Sequence, residues 1–137
     1  MKGPWSSGEI HQALVYGLGL SGRAAARFLL DRGVSVIAVD ARPREALDLG
    51  DLGDLATDQR LFVIAGSEPD ELPPSPLDLV VVSPGVPMTR PLLADARRRG
   101  VPVIAEVELA FPFLSGTVVA ITGSNGKSTT TALTGAM

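Results

Sequence analysis

The segment Gly17-Leu-Gly-Leu-Ser-Gly22 follows a short apolar run, Ala13-Leu-Val-Tyr16, and precedes a stretch with helical hydrophobic spacing. Three glycines at this spacing between a strand and a helix constrain the chain more than any other feature. The first, Gly17, permits a tight turn, and Gly19 lets a diphosphate approach the backbone. Gly22 allows the helix to pack closely on the strand, so that the helix amino terminus faces the anion. A turn that only packs a helix tightly is the competing reading. Asp40 stands 18 residues beyond Gly22 at the end of a second apolar run, near the ~20 expected for an acid that binds a ribose. Arg42 lies two residues further, where a guanidinium reaches a base or a phosphate, or is simply solvated.

The remaining pattern predicts an α/β fold with a parallel sheet of about five strands, its faces covered by helices. Strands are expected at residues 13–16, 34–39, 61–64, 79–82 and 101–105. Ser21 is a candidate cap for the first helix, whose apolar face is Ala24, Ala25, Phe28 and Leu29, with Gly33 as its stop. Residues 43–60 accommodate a short helix, and residues 68–76, with four prolines, form a loop. A further helix is expected to be capped by Thr89, to bury Leu92, Leu93 and Ala96, and to end at Gly100. Arg97, Arg98 and Arg99 then fall at its carboxyl end, where they complement the helix dipole. Ser83-Pro84-Gly85 closes the fourth strand on the same sheet edge as Gly17 and Asp40. There the Ser83 hydroxyl and the Gly85 N–H suit a phosphate or sugar, or form a turn only.

After Pro112 the pattern starts again. Residues 118–121 read as a sixth strand, followed by Gly123, Ser124, Asn125, Gly126, Lys127, Ser128 and Thr129 and then a helix-forming segment. Consecutive N–H groups in such a loop cradle polyphosphate. Lys127 neutralises the β/γ oxygens, and the hydroxyl of Ser128 or Thr129 holds Mg²⁺. The strict phosphate-loop spacing requires glycine at position 121, which is Ile121, so the loop is a shorter variant. Ten of the twelve basic residues are arginines, and Lys127 is the one lysine away from the amino terminus. A dinucleotide dehydrogenase uses only the first loop and an ordinary ATPase only the second. Both together point to one nucleotide-bearing substrate and one ATP, the logic of an ATP-driven ligase.

Composition removes other classes. The 137 residues carry a formal charge of −3, which argues against a general nucleic-acid binder. The absence of cysteine excludes disulfides, a thiol nucleophile and zinc–cysteine sites. The longest uncharged stretch, residues 109–126, is broken by Pro112, Gly116 and Gly123, so no membrane span and a cytoplasmic protein are expected. His11 is isolated near the amino terminus and reads as a surface residue.

Gly17-Leu-Gly-Leu-Ser-Gly22, Asp40-Ala-Arg42, Val81-Val-Ser-Pro-Gly-Val-Pro87, Glu106-Val-Glu-Leu109 and Ile121-Thr-Gly-Ser-Asn-Gly-Lys-Ser-Thr-Thr130 together resemble the Mur ligases of peptidoglycan synthesis, over nearly the whole chain from Leu14 and in the family's order. The pairing of the first and third motifs is similar to the D-glutamate-adding member. The resemblance implies a Rossmann-like domain over residues 1–113 that binds the UDP part of the substrate without nicotinamide. It also implies the start of an ATP-binding central domain over residues 114–137. It assigns Gly19, Leu20 and Ser21 to the diphosphate, Asp40 and Arg42 to the uracil, and Ser83, Pro84 and Gly85 to the uridine diphosphate region. Ala41 stands where some members have a hydroxyl residue. The implied reaction is phosphorylation of the UDP-N-acetylmuramoyl-L-alanine carboxylate by ATP, attack of the D-glutamate amine on the acyl phosphate, and loss of phosphate. Lys127 and Mg²⁺ stabilise charge on the transferring phosphoryl group. The chain alone is expected to lack ligase activity. The alternatives are another Mur-type ligase, adding L-alanine or a peptide, or a stand-alone nucleotide-binding module.

Overall fold

The computed structural model describes residues 10–119. Five strands form one all-parallel sheet: β1 (Gln12–Tyr16), β2 (Ser35–Asp40), β3 (Leu61–Ala65), β4 (Leu79–Val82) and β5 (Val103–Ala105), in the order β3-β2-β1-β4-β5. The central strands are almost uninterrupted apolar runs, as strands covered on both faces require. Leu14 and Val15 of β1 pair with Ile37 and Ala38 of β2 on one side and with Val80 and Val81 of β4 on the other. The chain builds outward from β1 in one direction, then returns to build outward in the other. This reversal between β1 and β4 opens a crevice at their carboxyl ends, where open α/β sheets bind ligands.

Side chains alternate between two cores. Ala13, Val15, Val36 and Ala38 pack beneath α1 (Leu20–Asp31), while Leu14, Tyr16, Ile37 and Val39 pack beneath α2 (Pro91–Arg98). A third helix, α3 (Glu106–Ala110), joins the α1 side through Leu109, and the Ala105 N–H donates to Glu108 Oε1 at 3.3 Å as it begins. The Glu106–Leu109 motif is thus a single helical turn that five residues of sequence were too short to reveal. Residues 43–60 hold two 3-10 segments, Arg44–Ala46 and Gly50–Thr57, the second kinked at Gly53 (φ 53°).

Both helix starts differ from expectation. The N-cap of α1 is Gly19, whose carbonyl accepts the Arg23 N–H at 3.0 Å. Ser21 lies inside the first turn and makes no capping bond. The N-cap of α2 is Arg90 rather than Thr89, because Pro91 occupies the first helical position with its preset φ. The buried stripe of α1 is also rotated: Gly22, Ala25, Ala26, Leu29 and Leu30 face the sheet, Phe28 is half-buried and Ala24 is exposed. The expected stops hold. Gly33 (φ 82°) ends α1 with its N–H on the Leu30 carbonyl and the Val34 N–H on the Leu29 carbonyl, a Schellman pair. Gly100 (φ 73°) follows α2. The fifth strand is shorter than expected, because the Val101 N–H is spent on the Ala96 carbonyl at the end of α2.

The arginine run at the end of α2 has a specific partner. Asp95 is buried, and Arg98 and Arg99 both pair with it, the latter at 3.0 Å. Its Oδ2 also accepts the Leu72 N–H at 2.8 Å, which pins the proline-rich loop to α2. On the opposite side, Phe113 meets Phe28 edge-on at 5.2 Å, with the Arg32 guanidinium 3.5 Å from the Phe28 ring centre. This contact docks the 3-10 turn Phe111–Phe113 against α1. Of the expected sixth strand only Val118 and Val119 are described. Both are exposed and outside any strand, and residues 120–137 lie outside the described residues. Among the described residues no helix is long and apolar enough to cross a membrane.

Asp95→Ala removes the acceptor for the Leu72 N–H and leaves two arginines without their shared counter-charge. The variant is expected to lower Tm and to increase proteolytic cleavage within residues 68–76 severalfold. Unchanged cleavage of that loop would refute the anchoring role.

Candidate functional site

The first glycine loop turns sharply at Gly17 (φ 95°), whose N–H donates to the Val39 carbonyl at 2.7 Å. A methyl group on Gly22 would lie 1.7 Å from the Gly17 carbonyl oxygen, so no other residue fits there. Gly17 itself is closed in by Ser83, whose Cβ would stand 2.9 Å from a Gly17 methyl. Gly19 is different. Its φ of −69° suits any residue and nothing lies within 4 Å of where its Cβ would be. Internal packing therefore demands Gly17 and Gly22, whereas Gly19 leaves bare backbone facing open space.

Asp40 stitches this loop to the end of β2. It is 6% exposed, and its Oδ2 accepts the Leu18 N–H at 2.7 Å and Arg42 Nη2 at 2.8 Å. Its Oδ1 accepts the Arg42 backbone N–H at 2.8 Å and Arg42 Nε at 3.0 Å. The Arg42 fork, helped by the two backbone N–H groups, holds the Asp40 carboxyl down to about 2, against the opposing effect of burial. As placed, Asp40 is a loop clamp with both oxygens engaged. Ser83 plays a similar internal part: its hydroxyl donates to the Gly17 carbonyl at 2.9 Å, and its N–H to the Tyr16 carbonyl at 3.0 Å.

These loops enclose a cavity of about 580 Å³ at the carboxyl edge of the sheet. Gly19, Leu20, Ser21, Asp40, Arg42, Ser83, Pro84 and Gly85 all line it, so the structure gathers every one of these sequence-derived positions. Leu20 is 76% exposed at its rim, an apolar side chain at the mouth of the cleft. His11 is exposed beside the start of β1, at the opposite end of the sheet, where its N–H donates to Asp78 Oδ2 at 2.8 Å. The second loop, Gly123, Ser124, Asn125, Gly126, Lys127, Ser128 and Thr129, lies outside the described residues.

Sequence reasoning missed one wall. Tyr16, Glu68 and Arg90 also line the cavity. The Tyr16 hydroxyl donates to Glu68 Oε1 at 3.0 Å, and Arg90 Nη1 stands 3.3 Å from Glu68 Oε2. Burial, reinforced by the Glu68 carboxylate, raises the Tyr16 phenol to about 12, so it stays protonated. These three residues come from three separate segments. The one available signal was positional: Tyr16 and Arg90 immediately flank Gly17 and α2.

Two variants test this geometry. Asp40 keeps its charge to about pH 2 when folded, whereas an unperturbed aspartate protonates near 3.8. Its stabilisation is therefore complete above that range and is lost as pH falls toward 2, with a size on the order of 2 kcal/mol. Asp40→Asn should cost about that much at pH 7 in urea denaturation, and its deficit relative to wild type should shrink between pH 5 and pH 2. Gly22→Ala should destabilise by about 3 kcal/mol or more, since the loop carbonyl has to move.

A family model described as the Mur ligase MurD-like N-terminal domain matches residues 11–105, from just before β1 to the end of β5. Curated relatives align over most of this chain. The UDP-N-acetylmuramoylalanine–D-glutamate ligase of Acidobacterium capsulatum is 51% identical over 126 residues, 92% of this chain and 27% of its own length. That of Solibacter usitatus is 49% identical over 125 residues, 90% and 26%. That of Geobacillus kaustophilus is 44% identical over 126 residues, 89% and 26%. The chain thus spans about a quarter of the length of these relatives. With the parallel sheet, the glycine turn and the cleft between β1 and β4 in place, the chain belongs to the MurD-like Mur ligase family, of which it carries the N-terminal domain.

Proposed function

We propose that the cavity binds the uridine diphosphate part of UDP-N-acetylmuramoyl-L-alanine, and that the chain is the N-terminal part of a cytoplasmic, ATP-dependent ligase adding D-glutamate to that substrate in peptidoglycan precursor synthesis. The observation that carries this reading is the convergence of three loops, after β1, β2 and β4, on one cleft at the strand-order reversal. The relatives, as UDP-N-acetylmuramoylalanine–D-glutamate ligases, suggest the substrate and the amino acid. Bare backbone at Gly19, on the amino end of α1, suits the diphosphate. The corner formed by Asp40, Ala41 and Arg42 suits the base, with Asp40 acting through the loop and the guanidinium it holds. Ser83, Pro84 and Gly85 form the opposite wall, where their turn meets the Gly17 carbonyl.

ATP and Mg²⁺ belong to the second loop in this reading. Its donor set fits them: an ammonium at Lys127 for phosphate oxygens, hydroxyls at Ser128 and Thr129 for a hard cation, and glycines that leave N–H groups accessible. ATP supplies the phosphoryl group that activates the substrate carboxylate, and Lys127 is the residue suited to meet its charge.

Calorimetric titration of the chain with UDP and with NADH tests the nucleotide assignment. UDP is expected to bind and NADH is not; NADH binding without UDP binding would overturn the reading. Gly19→Ala should leave Tm within a degree or so of wild type, since its methyl group meets nothing. It should weaken UDP about tenfold by obstructing the diphosphate.

A further inference from the structure

Four charged side chains line the cavity, and they do not share their charges equally. Arg42 is committed: it grips Asp40 through Nε at 3.0 Å and Nη2 at 2.8 Å, a two-point contact on a carboxylate that two backbone N–H groups also hold. Such forks are the stronger class of ion pair. Arg90 is held loosely. Its ion pair with Glu68 is a single contact of 3.3 Å, and its Nε, shielded from solvent, has no acceptor. Among the charged residues lining the cavity, two positive groups face two negative ones. A phosphate entering the cleft therefore meets a site without excess positive charge unless one pair opens. Opening the Asp40–Arg42 fork breaks two charge-assisted contacts and leaves a buried carboxylate without its counter-charge, whereas turning Arg90 away from Glu68 breaks a single longer one. Glu68 would not be left unpartnered, because the Tyr16 hydroxyl, protonated at all ordinary pH, continues to donate to it.

We infer that Arg90 is the exchangeable cation of this cleft: it rests on Glu68 when the site is empty and swings onto the diphosphate of the bound nucleotide, with Tyr16 and Glu68 as its parking place. This rests on the nucleotide reading above and adds a phosphate-recognising residue from the start of α2. The arrangement also gives selectivity. Glu68 repels an anionic ligand that is too short to recruit Arg90, so nucleotides with the full diphosphate are favoured over those with a single phosphate.

Opposite effects of two charge-removing variants distinguish this role from a structural one. Arg90→Gln should weaken UDP roughly tenfold at low salt, the cost of one lost charge-assisted contact. Glu68→Gln should tighten UDP severalfold, because it frees Arg90 and removes a repelling charge, and this gain should fade as salt is raised. Arg90→Lys should recover part of the loss. Thermal melts of the same samples confirm that each variant is folded, and inorganic pyrophosphate serves as a second probe without the base. If UDP binds but both variants weaken it alike, or Arg90→Gln leaves it unchanged, the exchange role is overturned and the nucleotide assignment stands. If pyrophosphate shows the opposite-sign pattern while UDP gains nothing over it, Arg90 keeps its role and the uridine assignment fails. If neither probe binds, both are overturned.

Discussion

The contact on which this domain depends is the approach of the first turn of α1 to the turn that precedes it. Gly22 sits so close to the Gly17 carbonyl that one methyl group would overlap it. That approach brings the amino end of α1 to the carboxyl end of β1 and sets the loop between them across the sheet edge. Two side chains then fasten the loop. Asp40 takes the Leu18 N–H from the β2 side, and Ser83 takes the Gly17 carbonyl from the β4 side. The neighbours of β1 in the sheet are therefore also the neighbours that shape the cleft.

These fastenings explain why residues proposed for ligand recognition also hold the loops together. A buried carboxylate with two engaged oxygens is costly to leave unpaired and rigid when satisfied. Asp40 uses that rigidity to present Arg42 and the adjacent backbone in a fixed place. The cleft thus has one wall whose polar groups are already satisfied and, at Glu68 and Arg90, another whose pairing is loose. A preorganised wall costs little to bind against, and a loose one allows a charged ligand to be recognised by exchange.

Much of this was legible before folding was considered. Apolar runs ending in glycine or a polar residue marked the strands, because parallel strands buried on both faces have few other solutions. Glycine stops at Gly33 and Gly100 marked helix ends, since a positive φ there is a local demand. Helix starts were less legible. Ser21 and Thr89 are good capping residues, yet Gly19 and Arg90 hold the positions, because the glycine turn and Pro91 fixed the backbone first. The rotation of α1 that buries Ala26 and exposes Ala24 follows from the Gly22 contact rather than from hydrophobicity alone.

The sequence by itself determined the alternation of strands and helices, the glycine turn after β1, and the positions that line one side of the cleft. Each of these is a local pattern, in which spacing along the chain dictates spacing in space. Tertiary structure decided which charges meet. Asp95 is bound to Leu72 across 23 residues, Tyr16 to Glu68 across 52, and Ser83 to Gly17 across 66. Such pairings depend on strand order and on which sheet face a side chain occupies, and no local periodicity encodes either. The Arg90–Glu68 wall belongs to this second kind: it exists only because β3 and β1 end, and α2 begins, at the same edge of one sheet.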